Sequence, residues 1–280
     1  MSYKPSLKVQ EFIANDWLGL EDTEWQNRLY FFGGYLLLQR QTKVKVDLFE
    51  LMCEVLNENL PAHVHWMRHN CNYMKLKFHD QHDQIMLLKD SWSVILILDQ
   101  MHQRIHNNMP DEIELPNGQK FDLLNLLGAP SMAEKFLEVS ENLKQLCFDS
   151  TDFLCLKFLL LLNAGAVQHN KQEVHEASEK VHEILLEYCQ TCYPNIPEKY
   201  NQLLAQIPEL RSMAHQGEDF LYLKHMEGNA PHHGTLLMEM LFRSEMTRYE
   251  VVRRRTKQHL TTPYNYIQCH AISNPCNTMQ

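Results

Sequence analysis

The chain has 280 residues, 44% of them hydrophobic and 22% charged, with a formal net charge of −9 at pH 7. That length buries one large core or two small ones, the apolar share excludes a disordered protein, and the negative balance argues against nucleic-acid binding by the whole surface. Nine Gly and eleven Pro are few, and long segments lack both, which points to helices rather than a sandwich or barrel.

Along the chain, apolar residues at helical spacing predict about eight to eleven helices. The first runs are KVQEFI at 8–13, TEWQNRLYFFGGYLLLQRQ at 23–41 and DLFELMCEVLNENLPAHVHWMRH at 47–69. The start MSYKPSLKVQEF has no apolar core of the kind a secretory signal needs. Asp83 to Gln100 then joins two unlike halves. Ile85, Leu88 and Lys89 fall at helical spacing, whereas Val94 to Leu98 is an unbroken apolar run that suits a buried helix or a buried strand. With no Pro or Gly from Ala62 to Met109, helix is favoured, starting at a surface and ending in a core. One segment departs from helix: in IELPNGQKF, Ile113 and Leu115 on one arm and Phe121 on the other are joined across Asn117-Gly118, predicting a small hairpin.

Further helices are predicted at 131–148, 150–165, 170–189 and 196–226, with Ser131, Ser150 and Asn170 as capping residues. FLCLKFLLLLNAGAV at 153–167 is interrupted by Lys157 and Asn163 and falls short of the ~18 apolar residues of a membrane span, so it reads as a core helix. TLLMEML at 235–241 presents Leu236, Leu237, Met240 and Leu241 as one apolar surface beside Glu239; alone, it reads as a terminal helix packed on the core. Residues 242–280 carry six Lys or Arg against two Glu, centred on VVRRRTKQH. Such a cluster serves as a nuclear import signal, a nucleic-acid patch or a solvated end.

Catalytic signatures are absent: there is no GxxxxGK[ST], GxGxxG, GxSxG or HExxH. His102 and His106 have the i, i+4 spacing of a metal pair but lack an evident third ligand. His79, Asp80, His82 and Asp83 read as a polar loop that needs no cation. Eight Cys, several within apolar helical runs, read as reduced core thiols, and Cys189 with Cys192 makes one CxxC without a second pair. No enzyme, metal or cofactor is expected.

Taken together, HVHWMR followed by DQIMLLKDSWSVILILD, and LLMEML near the end, resemble a nuclear receptor ligand-binding domain over most of residues 6–241. FLCLKFLLLL, YPNIPEKYNQLLAQIPELRSM and EDFLYLKHMEGNAP carry a likeness to subfamily five, the fushi tarazu factor, steroidogenic factor and liver receptor homologue group. The resemblance implies an all-α, three-layer antiparallel helical sandwich with one small hairpin and an internal lipid pocket. Residues 1–5 would be a hinge remnant, 6–241 the domain with its terminal activation helix, and 242–280 a basic, poorly ordered tail.

The resemblance also implies a site. A coactivator or corepressor presents an LxxLL helix whose two ends carry opposite partial charges, so the groove that takes it needs one cation and one anion. Arg68 matches the cation and Glu239 the anion, with Val64, Ile85 and Leu88 as floor, Lys89 at the rim, and Leu236 and Leu237 from the activation helix. For a phospholipid head group, Gly128 and Lys224 match the family positions, while Phe220 stands where a tyrosine is expected and brings no hydroxyl. A filled, ligand-independent pocket is the competing expectation. Val94 replaces a usual Glu, three extra residues fall between Arg68 and Asp83, and nothing in the sequence of 236–262 stops the activation helix from running past Leu241.

The implied function is a monomeric regulator of transcription in the nucleus, touching DNA only through an upstream zinc-finger domain that these residues lack. The alternatives are a receptor-like corepressor without DNA contact, for which LLNLL at 123–127 would serve as a motif or as a chance core match, and a lipid carrier with no regulatory role.

Overall fold

The structure is a computed structural model that describes residues 4–14, 44–73, 76, 81–124, 127, 132–228 and 235–241. The predicted helix at 23–41, the cap Ser131, the residues His79 and Asp80, Gly128 and the tail 242–280 lie outside the described residues. The described helices are α1 (Leu7–Ala14), α2 (Leu48–Tyr73), α3 (Gln81–Asn107), α4 (Met132–Gln145), α5 (Ser150–Leu161), α6 (Lys171–Cys192), α7 (Lys199–Met226) and α8 (residues 236–241). A hairpin of β1 (Glu112–Glu114) and β2 (Lys120–Asp122) interrupts them.

The middle layer follows from residues that are apolar on every side. Trp92 and Val94 to Leu98 on α3, and Phe153 to Leu161 on α5, are all buried, with Lys157 as the one charge in that run of α5. Lys157 is held by an ion pair of 2.8 Å to Asp99 and lies 4.6 Å from the Trp66 ring centre. Helix α3 packs against α2, α4, α5 and α7, and α5 packs against α3, α6 and α7, so outer helices cover both. No described helix is long and apolar enough to cross a membrane.

Capping differs from expectation in two places. The cap of α5 is Asp149 rather than Ser150: its carboxylate accepts from the Thr151 and Asp152 amides, while Asp152 accepts from the Asp149 amide. A carboxylate one residue earlier takes the reciprocal box that a hydroxyl at Ser150 cannot complete. Asn170 stands at the cap position of α6 but makes no side-chain cap bond. Fully buried Asp83 on α3 instead anchors the segment that enters α6, accepting from the amides of Gln168, His169 and Asn170 at 2.8–3.0 Å. Burial works to raise the Asp83 pKa, yet these three amides hold it below the usual carboxylate value. Asp83 is thus a structural anion inside a helix, not part of a loop.

The hairpin forms where expected, with Ile113 opposite Phe121. Its turn is longer than the two residues of Asn117-Gly118: the Gly118 amide bonds the Leu115 carbonyl, the Leu115 amide bonds the Gln119 carbonyl, and Gly118 takes φ +78°. Pro116 lacks an amide proton and sits in the reversal, leaving the left-handed position to glycine. Gln119 then bonds both the amide and the carbonyl of Val46, tying the hairpin to the chain that enters α2.

Candidate coregulator groove and ligand site

On α2, Val64, Met67 and Arg68 stand at i, i+3 and i+4, so they share one face. On α3, Leu88 lies three residues after Ile85 and four after Gln84, so these three also share a face. The two faces enclose a cavity of about 250 Å³ lined by these six residues. Met67 and Leu88 are buried at its base, Val64 is half-buried, and Arg68 and Ile85 are exposed at its edge. This is an apolar concavity with one cation at one end. Lys89 is half-buried and is not among the lining residues. Met67 and Gln84 were not singled out in sequence, although Met67 lies three residues after Val64 and Gln84 directly precedes Ile85.

Six residues cannot hold a helix in water, so α8 exists through its contacts. Leu237, Met238, Met240 and Leu241 are buried, Leu236 is half-buried and Glu239 is exposed. Met238 therefore joins the expected apolar surface. Thr235 accepts from the Met238 amide through its hydroxyl and from the Glu239 amide through its carbonyl. The Leu237 amide donates to Oδ1 of Asn57 on α2 at 3.2 Å. Asn57 thus fixes where α8 sits on α2, and no local pattern announces that role. Eleven residues separate Asn57 from Arg68, about 16 Å along the axis at helical rise, close to the length of a three-turn helix.

At the candidate ligand site, Phe220 and Lys224 lie one turn apart near the end of α7. The Phe220 ring meets Phe49 of α2 edge-on at 6.0 Å, and the Lys224 ammonium lies 5.8 Å from the Phe220 ring centre. Lys224 is also paired with Glu227 at 2.8 Å. One turn earlier on α7, Gly217 is buried against Leu127, whose side chain occupies the space a Cβ there would need. Leu123 and Leu127, the outer leucines of LLNLL, are both buried and are held as core residues.

Other candidates are accounted for by packing. The His102 ring stacks on Phe153 at 4.0 Å and lies 4.6 Å from His106, and its pKa is pushed down to about 3 by burial, then by His106 and Lys157. Among the described residues no group of three His, Cys, Asp or Glu is placed to hold a metal. Cys189 is buried with its thiol pushed up to about 12, chiefly by burial, and Cys192 is exposed at the end of α6.

The family described as the ligand-binding domain of nuclear hormone receptor matches residues 39–227. The chain is similar to the nuclear hormone receptor FTZ-F1 of Bombyx mori, 47% identical over 238 residues that cover 83% of this chain and 42% of that protein. Nuclear receptor subfamily 5 group A member 2 of Mus musculus is 34% identical over 208 residues, 72% of this chain and 36% of that one. The crystal structure of the ligand-binding domain of fushi tarazu factor 1 of Drosophila melanogaster aligns with a TM-score of 0.73 at 43% identity, covering 86% of this chain and 97% of that one. The chain spans less than half the length of these two curated relatives. It belongs to the nuclear hormone receptor ligand-binding domain family, with receptors of subfamily five among its relatives.

Proposed function

We propose that this chain regulates transcription in the nucleus, as part of a receptor, by taking the LxxLL helix of a coactivator or corepressor into the groove between α2 and α3. The observation that carries this reading is the cavity lined by Val64, Met67, Arg68, Gln84, Ile85 and Leu88, with a single permanent charge at one end. A leucine-rich helix buries its apolar face there, and Arg68 faces its C-terminal carbonyls. Glu239, exposed on α8, supplies the opposite charge for the N-terminal amides, and Asn57 holds α8 where it can do so. Leu236, half-buried on α8, would extend the apolar wall; Lys89 lies outside the cavity lining, and Leu237 is buried and serves to seat α8.

The test is anisotropy of a labelled LxxLL peptide against the wild-type chain and the Arg68→Ala and Glu239→Ala variants. Binding that each variant weakens, with unchanged melting, supports the reading; a lipid carrier without a regulatory groove would not distinguish them.

For the internal pocket, a phospholipid would meet Lys224 and Gly128, with Phe220 contributing only apolar contact. The burial of Leu127 against Gly217, one turn from Phe220, favours the second reading, in which side chains of the protein itself fill that space. Native mass spectrometry decides between them: a co-purifying phospholipid mass, retained more strongly in Phe220→Tyr, supports the lipid, and its absence supports the filled pocket.

A further inference from the structure

Where α5 ends, its last turn, one face of α6 and the middle of α7 enclose another cavity, of about 360 Å³, which shares no lining residue with the groove. Its main wall follows from spacing. On α6, His175, Ser178, Glu179 and His182 stand at i, i+3, i+4 and i+7, along one side of the helix over two turns. Leu159 and Leu162, both buried, form an apolar base, and Arg211 enters from α7.

Part of this lining is spent inside the fold. Arg211 donates to Asp90 at 3.1 Å and to the Leu160 carbonyl at 3.0 Å, and Asn163 donates to the same Asp90 oxygen at 2.9 Å. The Arg211 charge is thereby balanced. Nδ1 of His182 lies 3.1 Å from the Tyr200 hydroxyl. The side chains of His175, Ser178 and Glu179, by contrast, make no hydrogen bond or ion pair with another described residue. Counting histidine as neutral, Glu179 is the net charge of the lining.

The surroundings have the same sign. Helix α6 carries five Glu against two Lys, and α5 directs the negative end of its dipole at the cavity. An anion would meet Glu179 with the Arg211 charge already matched, and a neutral group would leave Glu179 without a partner. A cation fits, and a guanidinium fits best: its fork matches a carboxylate, its plane stacks on an imidazole, and its aliphatic stem lies along leucine. An ammonium offers only a compact point charge. Gly165, His175 and Glu179 are exposed at the rim, so a side chain enters without any opening of the fold. One ion pair open to water is too weak to hold a free molecule, so the group arrives on a larger surface. We propose that this cavity receives an arginine side chain of a partner protein, with its guanidinium on Glu179 and its stem over Leu159 and Leu162.

NMR of the full 280-residue chain, labelled at its histidine rings and held near pH 8, tests this. His175→Gln and His182→Gln assign the two ring signals. The probes are the capped tripeptide Gly-Arg-Gly, the same peptide with citrulline or lysine in place of arginine, and agmatine as a free guanidinium. The arginine peptide should move both signals with a Kd of about 1 mM, about tenfold tighter than the citrulline peptide and tighter than the lysine one. Glu179→Gln, at an exposed position, should remove that advantage with melting unchanged; the citrulline comparison on the wild-type chain decides even if the variant folds poorly. Equal binding of the arginine and citrulline peptides, or of the arginine and lysine peptides, overturns the inference. Agmatine binding more tightly than the arginine peptide overturns the partner in favour of a small molecule, and ring signals that no probe moves overturn the site itself.

Discussion

The body built from α3, α5, α6 and α7 and the groove formed by α2, α3 and α8 treat charge in opposite ways. In the body, charged groups are buried and paired: Lys199 with Asp152 at 2.7 Å, both fully buried, Lys157 with Asp99, and Asp83 with three amides. Asp149 adds the hydroxyls of Tyr188 and Tyr193, at 2.5 and 2.6 Å. At the groove, Arg68 and Glu239 are exposed beside buried apolar side chains. A buried charge is tolerable only with its partner present, whereas an exposed one contributes little to the fold. Body charges are therefore tied to their partners in the fold, whereas Arg68 and Glu239 contribute little to it.

The comparison breaks first if body charges prove dispensable. Lys199→Met strands the Asp152 carboxylate and should cost about 3–5 kcal/mol in urea unfolding, with Asp152→Leu added to it recovering much of the loss. An unchanged midpoint would mean that Asp152 finds water. Gly217→Ala should cost up to about 3 kcal/mol by overpacking, and Leu127→Ala in the same chain should relieve it. No relief would place Leu127 elsewhere.

Acid sharpens the same contrast. The folded His102 titrates at about 3, well below an unfolded histidine near 6.5, so the unfolded chain binds more protons between those values. Its stabilising contribution is complete above about pH 6.5 and declines as pH falls towards 3, amounting to about 2 kcal/mol lost by pH 5. His102→Phe should therefore flatten the fall in melting temperature between pH 7 and pH 5, and an equal slope in both chains would contradict it. At the groove, Asn57→Ala removes a cap worth about 1 kcal/mol, and LxxLL affinity should drop about fivefold while the melting of the body stays put.

Local patterns carried much of the body. Periodicity and the lack of Pro or Gly placed α3, which runs on to Asn107, and alternation around Asn117-Gly118 placed the hairpin. Contacts between distant residues were not legible: Asp83 holds an amide 87 residues away, at the entry to α6, and Asn57 meets an amide 180 residues away, so neither shows in any window of sequence. The α5 cap was misplaced by one residue because Ser150 and Asp149 both favour that role and only the reciprocal bond to Asp152 decides. The helix predicted at 47–69 runs on to Tyr73, since α2 continues through Asn70 and Cys71, both buried. In the groove, Val64, Ile85, Leu88 and Arg68 were named from the family resemblance, and the structure brings the four to one cavity, while the course of the chain beyond Leu241 lies outside the described residues.

The most direct measurement is a double-mutant cycle on Arg68 and Glu239 against an LxxLL peptide, with thermal melting in parallel. Each alanine variant should lose about five- to tenfold in affinity, as for charges at the ends of a bound helix, and all four proteins should melt together. Equal peptide binding by all four would contradict the account, as would loss of affinity that only follows loss of fold.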